Sequence, residues 1–308
     1  MTPTSTPQEK KGYAYFPGCS LSATGAAYDE SLRTLFRLLD LKLEEIDDWN
    51  CCGATSYMSI DEGSAFQLSA RNLSLAHQMG ASEVVAPCAA CYLVLRKTQD
   101  YVARHPEIAS KVAQSLDRAG LVQMDGVRVR HPLEVLYTDV GLARIKAQTK
   151  RQWRGGRIAC YYGCQAVRPY DEVDKPYNPT RMDELLGAIG APTVDYSLKT
   201  KCCGGSLTGT LHDVGIRLNY ILLKEAIRKG AEAIVTLCPL CQFNLDVYQA
   251  EIAKQSGERF DMPVLYFTQV LGWALGGESK ELGLRRSVSG QGLIRRWFTV
   301  HEGVEAYV

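Results

Sequence analysis

The chain has 308 residues, 46% of them hydrophobic and 22% charged, and a formal net charge of +1. This is the composition of a soluble globular protein with one large or two ordinary domains, and it excludes a general electrostatic attraction to nucleic acid or to an anionic membrane. The polar start MTPTSTPQEKKGYAYF does not read as an export signal, and no apolar run reaches the ~18 residues of a membrane span. A cytoplasmic setting is expected, with membrane association only through partners. Eleven cysteines in such a setting point to metal or redox chemistry, not to a disulfide framework.

In chain order, the β-prone run 13–16 predicts a strand that stops at Pro17 and Gly18. AAYDESLRTLFRLLDL follows, with Leu32, Leu35, Phe36 and Leu39 at helical spacing. KLEEIDDW reads as a strand that leads to Cys51 and Cys52. DEGSAFQLSARNLSLAHQMG reads as a helix closing on Gly80. EVVAP is an apolar strand with Cys88 at its end and Cys91 entering the next helix. The order then repeats: an apolar strand holding Cys160, the helix PTRMDELLGAIG, the strand TVDYSL, the pair Cys202 and Cys203, the helix GIRLNYILLKEAIRKG, the strand AIVTL and CPLC.

Ten cysteines follow this duplication. The first half has Cys19, Cys51, Cys52, Cys88 and Cys91; the second has Cys164, Cys202, Cys203, Cys238 and Cys241. Between Cys52 and Cys88 lie 35 residues, and between Cys203 and Cys238 lie 34. The flanks repeat as well, YAYFPGCS against IACYYGCQ and GASEVVAPCAAC against GAEAIVTLCPLC. Self-similarity at this separation implies two homologous α/β domains. Each is expected to be a small, mainly parallel sheet flanked by helices, the two related by a pseudo-two-fold. The expected limits are 12–150 and 151–277, with a C-terminal tail at 278–308. Ligands collect at the carboxyl ends of parallel strands, so each half brings its cysteines to one end.

Three chemistries use such thiols. Zinc takes four ligands and leaves one of five idle in each half. Thioredoxin-like redox uses C-x-x-C and leaves three unexplained. An iron–sulfur cube also takes four. With five, either one thiol is structural or the cluster is not a plain cube. Adjacent cysteines reach neighbouring points, so one can bridge two irons. Gly53, Gly204 and Gly205 let the backbone come close at positive φ, and nearby N–H groups can then donate to sulfur.

The pattern of Cys, CysCysGly and Cys-x-x-Cys, present twice between about 12 and 285, resembles the cysteine-rich CCG domain of heterodisulfide reductase B subunits. The resemblance implies two noncubane [4Fe–4S] clusters, each held by five cysteines with a bridging thiolate. The first set would be Cys19, Cys51, Cys52, Cys88 and Cys91, and the second Cys164, Cys202, Cys203, Cys238 and Cys241. It implies a catalytic iron–sulfur subunit that cleaves or forms a disulfide-type S–S bond between the clusters. The substrate would be a small thiol or disulfide, such as the coenzyme M–coenzyme B heterodisulfide of methanogens, or a lipoate-bound sulfur species. One implied partner is a ferredoxin-like subunit with cubane clusters, since this chain lacks CxxCxxCxxxCP; the other is a flavin-containing subunit. The alternative is a non-catalytic electron-transfer module of a CCG-containing dehydrogenase or quinone-linked complex; a zinc-stiffened assembly protein is a third reading.

Among the remaining residues, Cys160 reads as a buried inert thiol and His77 as a surface or half-buried helix residue. His131, before Pro132, reads as a loop residue. His212 is a possible proton donor near substrate. Lys201 either offsets cluster charge or is solvated, and Tyr161 and Tyr162 either line a pocket or pack. Pro239 suits the first turn of a helix. RRSVSGQGLIRRW reads either as a surface tail or as a docking arm.

Overall fold

In the computed structural model, which describes residues 11–54, 57–124 and 126–299, the short apolar runs form two parallel sheets. β1 (Gly12–Tyr15), β2 (Lys42–Glu45), β3 (Glu83–Val85) and β4 (Arg128–Arg130) lie in the order β2-β1-β3-β4. β5 (Ile158–Tyr161), β6 (Ala233–Thr236) and β7 (Val264–Tyr266) lie in the order β5-β6-β7. The registers correspond: Ala14 faces Val84 between β1 and β3, and Ala159 faces Ile234 between β5 and β6.

The expected strand TVDYSL is reduced to one parallel bridge between Thr193 and Ile158. It occupies the place of β2, on the outer side of β5. The ladder stops there because Tyr196 turns inward and its hydroxyl donates to Leu222 O at 2.9 Å, while residues 197–200 form a turn.

Helices cover the sheets, as parallel strands require. Ala26–Leu38 buries Tyr28, Leu32, Leu35 and Phe36 along one face. Glu62–Gln78 starts at Asp61, whose carboxylate accepts from Ser64 N at 3.2 Å, and ends before Gly80 at φ 74°. Ala89–Arg104 and Pro239–Val247 begin directly after Cys88 and Cys238, and Pro239 sits in the first turn as expected.

The halves exchange contacts. Phe267–Ala274, after β7, packs on Ala26–Leu38 of the first half. Tyr28 stacks on Tyr266 with ring centroids 4.5 Å apart, and the Ser31 and Thr268 hydroxyls lie 2.6 Å apart. Reciprocally, Gly141–Gln148, after β4, packs on Arg181–Ala188 of the second half, beside a Tyr137–Glu184 hydrogen bond of 2.6 Å. This reciprocity is the pseudo-two-fold in physical form, and it merges both halves into one apolar core.

The C-terminal segment is neither a surface tail nor a free arm as far as residue 299. Trp297 and Phe298 are buried against Trp153, and Phe298 also packs on Trp273. Arg286 pairs with Glu30 of the first half at 2.6 Å. The rest of the expected tail, 300–308, lies outside the described residues.

At the end of β4, the Arg130 side chain is 3% exposed and meets Glu83 at 2.9 Å, Glu134 at 3.0 Å and Asp139 at 2.7 Å. Burial works to raise the Asp139 carboxyl, but hydrogen bonds from Arg130, Lys11 and Tyr13 outweigh it and hold the group below the usual carboxylate range. A depressed carboxyl contributes stability above its unfolded value of about 3.9, and that stability is lost as pH falls through the folded value. Arg130→Met removes the one buried cation that Glu83, Glu134 and Asp139 share and leaves them only the more exposed Lys11 and Arg128, so it is expected to cost about 3 kcal/mol in urea unfolding at pH 7. The gap to wild type should narrow below about pH 4 as the carboxylates protonate. An unchanged midpoint at pH 7 would refute this account.

Candidate metal centre

In each half three neighbouring segments of the sheet deliver thiols to one place. β1 runs through Gly18 to Cys19, β2 leads to Cys51 and Cys52, and β3 leads to Cys88, the N-cap of Ala89–Arg104, with Cys91 in that helix's first turn. Cys164, the Cys202–Cys203 pair, Cys238 and Cys241 repeat the arrangement. None of the cysteines forms a disulfide.

The thiols approach closely. Cys52 Sγ lies 3.1 Å from Cys91 Sγ, and Cys203 Sγ lies 3.5 Å from Cys241 Sγ. This crowding dictates the glycines that precede Cys19 and Cys164. A Cβ on Gly18 would fall 2.9 Å from Cys91 Sγ, and one on Gly163 would fall 3.0 Å from Cys241 Sγ. Gly53 and Gly204 take positive φ, 80° and 94°, as their place after each cysteine pair suggested.

Further thiols within each set lie near enough to shift one another's protons. Cys51 meets Cys52, Cys88 meets Cys91, Cys164 meets Cys202 and Cys238 meets Cys241. Cys88 and Cys238, each the first cysteine of its C-x-x-C, are near enough to shift one another's protons across the two halves. Within the chain the protons are shared unequally. A hydrogen bond from Cys51 pulls Cys52 well down, and one from Cys238 does the same to Cys88, while Cys51, Cys91 and Cys241 are pushed up. Cys202 is lowered to about 6, chiefly by Cys164. Thiolates this close repel, so the full set ionises only around positive charge, and a metal group taken up here would release the shared protons.

The second set surrounds a cavity of about 230 Å3 lined by Cys164, Cys202, Cys203, Cys238 and Cys241. Its opposite wall comes from the first half: Ala54, next to Gly53, and Ala89 and Ala90, next to Cys88. The second site therefore opens toward the first. Among the described residues, no three His, Cys, Asp or Glu side chains gather as the ligands of a single ion; the thiols stand around a space. A soft, all-thiolate donor set around a cavity fits an iron–sulfur group.

Backbone N–H groups point at sulfur, as expected: Gly53 at Cys51 (3.4 Å), Gly204 at Cys202 (3.3 Å) and Gly205 at Cys203 (3.4 Å). Sequence reasoning missed Asn244. Its Nδ2 lies 3.6 Å from Cys203 Sγ and donates to Gly205 O at 2.9 Å, an acceptor that fixes the amide that way round. The corresponding residue of the first half is Val94, so the two sites are not electrically equivalent. The signal was present in CPLCQFN against CAACYLV.

His131 is not a loop residue. It is fully buried, it is the N-cap of Pro132–Val135, and its Nδ1 accepts from Leu133 N at 3.1 Å. Burial pushes its imidazole down to about 4. His212 stands outside the cavity lining, paired with Glu251 at 2.6 Å and largely exposed. Cys160 is buried on β5 away from the cavity, near Asp183, and burial raises its thiol. Tyr161 packs and donates to Lys201 O. Tyr162 lines the cavity while its hydroxyl is held by Asp183 at 2.8 Å. Lys201 and His77 are exposed.

Comparison with known proteins adds independent findings. The profile of the family described as "Cysteine-rich domain", CCG, matches residues 13–96 and 158–246. The chain is 31% identical over 281 residues to the 8-methylmenaquinol:fumarate reductase membrane anchor subunit of Wolinella succinogenes, covering 91% of this chain and 97% of that one. It is 30% identical over 280 residues to a protein of Archaeoglobus profundus described as like the heterodisulfide reductase B subunit, covering 88% and 92%. A crystal structure of a hypothetical protein from Helicobacter pylori shares the fold, with a TM-score of 0.72 at 16% identity, over 93% of this chain and 53% of that chain.

Proposed function

The chain belongs to the cysteine-rich CCG domain family, and from that premise we propose that it is the catalytic iron–sulfur subunit of a heterodisulfide reductase-like complex, working on an S–S bond between two paired metal sites. Family and relatives imply iron–sulfur clusters and partner subunits of an oxidoreductase complex. Among the described residues no helix is long and apolar enough to cross a membrane. The finer reading assigns one noncubane [4Fe–4S] cluster to each five-cysteine set. The observation that carries it is the cavity: five thiols of one half share a lining with Ala54, Ser59, Ala89 and Ala90, residues near the other half's cysteines.

Cleaving a disulfide consumes two electrons and two protons and yields two thiols. When bound, the two clusters supply one-electron chemistry and Lewis-acid iron. The chain supplies the rest. Ala54, Ala89 and Ala90, with Ser59 beside them, leave a wall of small side chains against which a small sulfur compound can lie. Apart from the cysteines, Tyr162 is the one ionisable side chain in the described lining, and Asp183 holds its hydroxyl. Burial raises that hydroxyl far above its usual range, so it is no proton donor. Protons therefore enter from solvent, past the exposed Cys202. The proposed partners are a ferredoxin-like subunit that brings electrons and a flavin-containing subunit. The setting is cytoplasmic, with any membrane contact made through partners.

A second reading has its own support. The similarity to one component of a menaquinol:fumarate reductase over 97% of that component's length favours an electron-transfer module in a quinone-linked complex. Both readings need iron. Anaerobically reconstituted protein is expected to hold about eight iron and eight sulfide per chain. Adding a thiol under oxidising conditions is expected to raise a new electron paramagnetic resonance (EPR) signal. Zinc in place of iron would sink both readings, and full iron with no thiol-dependent signal would leave the relay.

A further inference from the structure

His131 connects the two halves at the point where their cysteine sites meet. Its Nε2 lies 3.0 Å from the carbonyl oxygen of Pro87 and 3.3 Å from that of Leu237. These residues immediately precede Cys88 and Cys238 and occupy the same position in the two repeats. Both neighbours of Nε2 are acceptors, so Nε2 carries the hydrogen. Nδ1 accepts from Leu133 N at 3.1 Å, so the ring is the neutral tautomer and its orientation is set from both sides. The Tyr92 ring, one residue after Cys91, packs edge-on at 6.0 Å.

One N–H group thus serves two buried carbonyls from different halves, each directly before the first cysteine of its C-x-x-C, Cys88 in one and Cys238 in the other. Few other residue types do this easily. Lysine would place a charge in a fully buried space, serine cannot span the distance, and an apolar residue leaves both carbonyls without their imidazole donor.

We propose that His131 is a positioning residue whose shared Nε2–H sets the separation and mutual orientation of the two cysteine sites. The consequence for function rests on the paired-site reading above; the geometry itself does not. If the sites act together on one small substrate, a shift of the Cys88 junction against the Cys238 junction changes the span of the gap while each half keeps its own five thiols. His131→Ala should therefore uncouple the sites without emptying them.

The geometric test uses the full chain in its metal-free, reduced form. It is treated with diamide, which takes two electrons and two protons from a thiol pair, and the disulfides are mapped by mass spectrometry. Cys88–Cys238 spans the halves, whereas Cys52–Cys91 lies within one and reports general loosening. Disulfide formation falls steeply with separation, so His131→Ala is expected to lower the ratio of the first to the second about fivefold or more. His131→Gln, which keeps an N–H donor, should restore part of it. Leu133→Ala removes buried bulk from the same turn and should leave the ratio unchanged. In reconstituted protein, His131→Ala should keep its iron while the magnetic interaction between the two sites, read by EPR, weakens.

An unchanged ratio in His131→Ala, or an equal fall in Leu133→Ala, overturns the proposal. If wild type takes up no iron, the cluster reading fails, and the disulfide ratio still decides the role of His131.

Discussion

Replacing Cys203 with serine is expected to remove about half the iron, from about eight to about four per chain, and to leave the first site filled. The side chain is buried, 3.5 Å from Cys241 and in reach of Asn244 and the Gly205 N–H. A serine hydroxyl is a poor iron ligand and a smaller one, so the second set loses a soft donor at a buried point. The first set hangs on the ends of β1, β2 and β3 and meets the second through Cys88 and Cys238, not through Cys203. Iron and sulfide assays with far-UV circular dichroism check the result. Unchanged iron would remove Cys203 from the ligand set. Loss of nearly all iron with the fold intact would mean that the two sets assemble as one unit.

The strand–helix order and the ten cysteines were legible because their signals are local. β-branched runs such as EVV and AIVT, glycines after helices and cysteines at strand ends need only a few neighbours to be read. TVDYSL was misread because its pattern fits a strand, whereas tertiary packing drew Tyr196 inward. The C-terminal segment looked like an arm because its four arginines are visible in sequence. Its anchor is not, since Trp153 and Trp273 come from distant parts of the chain. His131 escaped for the same reason: both its carbonyl partners lie in other segments, 44 and 106 residues away. What the repeat could not reveal was the meeting of the halves, because a duplicated unit says nothing about which of its surfaces face each other.

That meeting decides between catalysis and relay, and Ala90→Leu should separate them. Ala90 is 5% exposed, lies in the first turn after Cys88, and forms part of the wall facing the second set. A leucine there projects into a space of about 230 Å3 that the proposed substrate must share. If the S–S bond is worked on between the sites, turnover with a small disulfide should fall about 100-fold, since small misplacements of a reacting group cost that much. Overpacking costs about 1–3 kcal/mol, so thermal melting and iron content must be measured in parallel. A relay asks nothing of this gap, because electrons pass without a substrate lying in it. On that reading, electron flow from a reduced donor through the clusters to an artificial acceptor should change less than about twofold in the same variant, given that the wall carries no ligand. Lost disulfide turnover with retained iron and electron flow supports chemistry in the cavity. Retained disulfide turnover at wild-type rate would place the reaction elsewhere and leave this chain as a conduit.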